Sequence, residues 1–121
     1  MGAPIHANLH QGIYVFATVT DLSLIPRSLT IMEFQEAEGT SLILKKEDAD
    51  RLDLTYDYEA AWITIDNVTQ LDEVGLTAKF STALADADIS CNVIAGFYHD
   101  HVFVDHKSGK KAEQILSKLQ W

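Results

Sequence analysis

The segment Gly96–His106, GFYHDHVFVDH, gathers three of the chain's five histidines and two aspartates into eleven residues. Imidazole and carboxylate are ligand types that zinc accepts. His99, Asp100 and His101, read as a turn between two strand-like runs, are therefore the alternative metal set. Strand alternation limits it. If His101 begins a strand, His101, Phe103 and Asp105 share one face, while Val102, Val104 and His106 share the other. His101 and His106 then cannot bind one ion, and H-x-H implies no fourth ligand. The reading preferred for this stretch is a solvated hairpin turn running into a strand, with no metal and no cofactor. A histidine beside a ligand or a domain interface would change charge near neutral pH.

Other reactive types are sparse. Cys91 is the single cysteine; in the apolar run SCNVIAGF it reads as a small buried hydrophobe rather than a nucleophile. Asn92 is polar within that run and is expected to need hydrogen-bond partners from a neighbouring strand, a ligand or a partner domain. The chain has no nucleophile elbow, P-loop, dinucleotide fingerprint or H-E-x-x-H helix, so no catalytic residue is assigned and the chain reads as non-enzymatic.

The elements that position these residues follow from periodicity. Gly12–Val19 is β-branched and aromatic and reads as a buried strand. Pro26 keeps the next stretch irregular. Ile31–Gln35 and Ser41–Leu44 flank EAEGT as a hairpin, with Gly39 expected to supply a positive φ. KKEDADRLDL is a short helix with Ala49 and Leu52 on one side. After the TYDYEA seam, Ala61–Asp66 is a strand. Leu76, Phe80, Ala83, Leu84 and Ala87 then recur at helical spacing, with Asp72 and Glu73 at the helix entry, where the dipole favours negative charge. Two strands follow, and then a helix capped by Ser108 with a stripe of Ala112, Ile115, Leu116 and Leu119. The second half is thus β-α-β-β-α, the order of ferredoxin-like α+β folds, and the first half is a trimmed relative. MGAPIHANLHQG reads as a loose polar leader. Trp62 and Trp121 read as core or interface residues.

Length and charge bound the partners. The 121 residues suit one compact chain with a real core, and the net charge of −9 argues against nucleic acid and against anionic membrane surfaces. One cysteine forms no internal disulfide, which places the chain most simply in a reducing cytoplasm. No apolar run of about 18 residues exists to span a bilayer.

VGLTAKFSTALADADISCNVIAGFYHDHVFV resembles the core of an ACT domain. Gly75, Leu76, Phe80, Ala83, Leu84, Ile89 and Asn92–Ala95 carry the match. EAEGTSLILKKEDADRL resembles the hairpin and helix that precede this core in paired ACT-like proteins, a group that includes the cytosolic arginine sensors of animals. Together the matches span about Ile31 to Leu119. The resemblance implies tandem ferredoxin-like units with antiparallel sheets backed by helices, divided as 1–57 (a trimmed N-terminal unit of three strands and a short helix) and 58–121. It also implies a homodimer and a regulatory or sensor role. The ligand implied is a small metabolite, an amino acid above all, held where two units pair. Carried onto this chain, the site comprises Asp72, Glu73, Val74, Gly75 and Leu76 from the loop before the helix, and Ser90, Cys91, Asn92 and Val93 from the following strand. A protein partner would read the bound state. Two other readings stand beside it: an assembly module with no ligand, and a metal protein built on the His99–Asp100–His101 turn.

Overall fold

The computed structural model describes residues 4–66 and 75–120. In chain order the elements are β1 (Ala7–Leu9), β2 (Tyr14–Val19), two 3-10 turns (Leu22–Leu24 and Arg27–Leu29), β3 (Thr30–Gln35), β4 (Thr40–Lys45), α1 (Lys46–Arg51), β5 (Tyr56–Ile65), α2 (Leu76–Asp86), β6 (Cys91–Ala95), β7 (Asp100–Asp105), a 3-10 turn (His106–Ser108) and α3 (Gly109–Ser117). They fall into two compact units: an inserted unit, residues 12–60, and a split unit made of residues 1–11 and 61–121. β5 gives its first half to one and its second half to the other.

In the inserted unit the strands lie in the order β3-β4-β2-β5. β2 and β4 are antiparallel from Tyr14↔Lys45 to Val19↔Thr40. Val15, Ala17, Leu42 and Leu44 send their side chains to one face, where Ala49 of α1 and Ile25 of the irregular segment close the core. Pro26 opens the second 3-10 turn. The first-helix position of a ferredoxin-like unit is therefore filled by turns, as a fixed proline φ directly after Ile25 favours. The β3–β4 hairpin forms where expected, and Glu36 and Gly39 exchange both backbone hydrogen bonds across it (2.9 and 3.3 Å). Gly39, however, is not among the residues with positive φ. Its lack of a side chain matters for space instead: a Cβ there would lie 3.0 Å from the Val19 carbonyl oxygen and 3.1 Å from Thr18 Oγ1.

In the split unit the order is β1-β5-β7-β6. From β5 onward the elements run β-α-β-β-α, as periodicity predicts, and the sixth comes from the chain's beginning. β1 pairs antiparallel with β5, Ala7 opposite Ile65 and Leu9 opposite Ile63. The leader is thus not loose. Ile5 is 2% exposed and belongs to the core with Ile63, Ile65, Phe80, Leu84, Val102, Val104 and Leu116. The Leu9 N–H donates to Glu113 Oε2 of α3 at 2.7 Å. The period-2 alternation of Ile5, Ala7 and Leu9 against His6, Asn8 and His10 is what makes this segment a strand. Ser108 occupies the position before α3, but its side chain makes no capping hydrogen bond; the preceding 3-10 turn leads the chain into the helix. Gly109 begins α3 because a Cβ there would come within 2.7 Å of Ala61 Cβ. Among the described residues no helix is long and apolar enough to cross a membrane.

Candidate ligand-binding site

The loop half of the expected site is described only at its end, because Asp72, Glu73 and Val74 lie outside the described residues. Gly75 is exposed and sits at the N-cap of α2 with φ +89°. A side chain is strained in that left-handed conformation, although a Cβ there would meet nothing within 4 Å among the described residues. Its carbonyl accepts from the Lys79 N–H at 3.0 Å, closing the first helical turn. Leu76, 5% exposed, is a core residue. Its side chain anchors the helix, so only its backbone can face a ligand. The first N–H groups of such a helix lack intrahelical acceptors and attract a carboxylate.

The strand half sits elsewhere. Ser90 is exposed. Cys91 and Val93 pack against the core beneath the helices, and Cys91 Sγ lies 3.9 Å from Ser81 Oγ. Asn92, opposite Phe103 in the β6–β7 ladder, is exposed. Its amide is open to solvent rather than half-buried against a neighbouring strand. The alternation read from sequence holds, and it sends Cys91 and Asn92 to opposite faces. Gly75 precedes α2, whereas Ser90 follows it. Eleven helical residues span about 16 Å at 1.5 Å per residue. Within one unit, loop and strand do not converge on one small molecule.

The histidine segment differs from its expectation in one respect. Asp100 is not in the turn; it is the first residue of β7, paired with Ala95. The turn is Gly96–His99, closed by a Gly96 N–H to His99 carbonyl bond of 2.8 Å, with Phe97 and Tyr98 exposed at its tip. Asp100 is 8% exposed. By strand parity it falls on the face of Val102 and Val104, and burial pushes its carboxyl above the usual range. His101 falls on the other face, so the two cannot hold one ion with His99. Among the described residues no three His, Cys, Asp or Glu side chains come together as a metal would require.

His101 instead joins a network that was not foreseen. Trp62 Nε1–H donates to His101 Nδ1 at 3.0 Å. Thr64 Oγ1 lies 3.1 Å from the same nitrogen and 2.7 Å from His10 Nε2. The His10 ring stacks on Trp62 with centroids 3.6 Å apart at 10°. Beyond it, Trp62 stacks near Phe103 (6.1 Å, 13°). Asp66 Oδ2 accepts from Asn8 Nδ2. Burial lowers the His10 imidazole against the pull of Asp66. Burial, then His99 and His10, lower His101, again against Asp66. His99 Nδ1 is buried with no hydrogen-bond partner among the described residues. The available signal was the alternation H-x-N-x-H in β1 and W-x-T-x-D in β5. It becomes informative only once β1 is known to be a strand.

Known proteins align with most of the chain's length. An ACT domain family model matches residues 3–61, and a second ACT domain model matches residues 57–118. A Vibrio cholerae protein of unknown function, described as a possible transport protein, is 40% identical, with a TM-score of 0.80 over 93% of this chain and 88% of its own. The regulatory subunit of aspartate kinase from Thermus thermophilus, in its ligand-free form, is 11% identical with a TM-score of 0.70, covering 94% of this chain and 97% of its own. E. coli aspartokinase III in complex with aspartate and ADP is 12% identical with a TM-score of 0.62, covering 98% of this chain and 34% of its own. These last two share the fold. No match is found among curated protein sequences.

Proposed function

Because this chain belongs to the ACT-domain family and carries two copies in tandem, we propose that it is a non-catalytic regulatory module that binds an amino acid where two ACT units of different copies meet. The observation that carries this reading is the entry to α2. Gly75, at positive φ with no described residue within 4 Å of where a Cβ would stand, precedes an eleven-residue helix whose first N–H groups suit a carboxylate. The regulatory subunit of aspartate kinase, which shares this fold, supports the regulatory class.

The geometry of α2 explains why two copies are invoked. Gly75 and Ser90–Val93 lie at opposite ends of the helix. A ligand held by both therefore sits between the loop of one copy and β6 of another. β6 is the last strand of the split unit's order among the described residues, and a free edge offers N–H and C=O groups for a second copy. The protein is then a homodimer, placed in the cytoplasm. By sequence the two copies divide at 57 and 58, within the stretch where the family matches overlap. Ligand would favour one packing of the dimer, and a protein partner would read the difference.

A thermal-shift screen of the twenty amino acids tests the reading. A ligand at 100 times its Kd stabilises by about 2.7 kcal/mol, a rise of roughly 10 °C for a chain of this size. One amino acid, or a related pair, should raise the midpoint, and sedimentation should show a dimer with and without it. A flat screen would sink amino-acid sensing and favour an assembly module.

A further inference from the structure

Four of the five histidines, His6, His10, His99 and His101, lie on or beside the helix-free face of the split unit, away from the entry to α2. We propose that His10, Thr64, His101 and Trp62 form a proton-responsive latch that fastens β1 to β5 and β7, closed while His101 is neutral and opened when His101 takes a proton. This device is independent of the amino-acid reading.

The hydrogen-bond inventory dictates the polarity of the latch. An indole N–H only donates. Since Trp62 Nε1 lies 3.0 Å from His101 Nδ1, that nitrogen accepts. His101 is therefore neutral, with its proton on Nε2. That nitrogen has one lone pair, which the Trp62 N–H takes, so Thr64 Oγ1, 3.1 Å from it, is not a second full donor. Thr64 Oγ1 also lies 2.7 Å from His10 Nε2, and the His10 tautomer sets which of the two donates. The Trp62–His101 bond therefore has a fixed direction, while the Thr64 hydroxyl between the two imidazoles can turn.

Protonation acts unequally on the two imidazoles. A proton on His101 Nδ1 leaves the Trp62 N–H facing another donor, whereas Thr64 Oγ1 can accept it. Thr64 can rotate its hydrogen away, but Trp62 cannot. A proton on His10 keeps the Nε2–H bond to Thr64 and places a cation over the Trp62 ring, which is attractive. His101 is thus the sensing group.

The groups facing it set where it responds. The residues flanking β1 contribute His10 and, at its other end, His6, whose carbonyl accepts the Asp66 N–H. Asp66 directly follows β5, and the β6–β7 turn contributes His99. β6 presents uncharged Ile94 opposite it, and Asp100 on its own strand falls on the far face. Asp66 favours the proton; burial and the two imidazoles oppose it and prevail, so His101 is lowered from 6.5. The unfolded chain takes this proton first. The latch contributes its full stability above pH 6.5 and loses it as pH falls toward the lower folded value.

The test uses the full chain with Trp121→Phe, which leaves Trp62 as the sole indole. Imidazole 15N spectra at pH 7.5 should show His101 neutral with its proton on Nε2. Trp62 emission, followed from pH 8 down to 4.5, should change with a midpoint below 6.5. Over the same range the His10 amide, bonded to the Trp62 carbonyl at 2.9 Å, should lose about ten-fold in exchange protection. His101→Phe should abolish the emission transition, and His10→Phe, which keeps a stacked ring, should retain it. If His101→Phe does not fold, the 15N tautomer and titration of the chain with His101 intact decide. The proposal is overturned by a proton on His101 Nδ1 at pH 7.5, by an emission transition that survives His101→Phe or vanishes in His10→Phe, or by no transition at all.

Discussion

The two units share one order of elements and differ in how they fill it. The inserted unit has no histidine in residues 12–60, and its α1 has six residues. The split unit holds all five histidines and two helices of eleven and nine residues. Where the split unit sets α2 over its sheet, the inserted unit has two 3-10 turns and an open cleft of about 350 Å³ lined by residues including Thr18, Asp21, Leu24, Ile25 and Leu54. Asp21 is already engaged there, accepting from the Ser23 N–H and hydroxyl at 3.0 and 2.6 Å. A 3-10 turn has too few aligned peptides to build a useful dipole. A helix entry of the kind proposed to hold the ligand is therefore present in the split unit, and all five histidines lie in that same unit.

The largest expected effect comes from removing the apolar anchor of α2. Phe80 is fully buried, so Phe80→Ala should cost about 3–5 kcal/mol in denaturant unfolding. Hydrogen exchange should show the loss in the split unit; equal loss in residues 12–60 would break the comparison. Next is Gly109→Val, which drives a side chain into Ala61 and should cost about 1–3 kcal/mol. A thermal midpoint equal to the unsubstituted chain's would show that α3 can shift freely.

Gly75→Val should cost about 1–2 kcal/mol for a branched side chain at positive φ, leaving the protein folded while eliminating its amino-acid-dependent thermal shift. Its counterpart in the inserted unit, Asp21→Ala, should cost about 0.5–1 kcal/mol through the lost cap and leave that shift intact. An unchanged response in Gly75→Val would refute the loop assignment. The smallest effect is that of mild acid. His10 and His101 are both lowered by burial, so the unfolded chain binds their protons first and stability falls as pH drops below 6.5. Asp100 is raised; its burial penalty is relieved toward acid, which opposes the histidines at lower pH. Exchange measured at pH 7.5 and 5, corrected for intrinsic rates, should weaken protection in the split unit and spare the inserted one.

How far these features are legible in sequence depends on the distance over which they are encoded. α2 was readable because Leu76, Phe80 and Leu84 repeat within a few turns and all three are buried. The β3–β4 hairpin was readable for the same reason, although the role of Gly39 was not, since its neighbours are Thr18 and Val19 from another strand. Asn92 was expected on a half-buried face and is exposed, because strand alternation states which side a residue takes but not which side is covered. Asp100 was misplaced by one residue at a strand boundary, where local pattern is weakest.

The sequence by itself determined the α+β class, the order of strands and helices from β2 onward, the absence of a cysteine pair and the family resemblance. All of these rest on residue types within short windows, where side-chain period and turn chemistry act. Only the tertiary structure decided that β1 closes the split unit, and that His10 meets Thr64 across 54 residues and Thr64 meets His101 across 37. Those contacts depend on which strand edges are left open once the apolar faces are buried. That balance is struck over the whole chain, and no local window contains it.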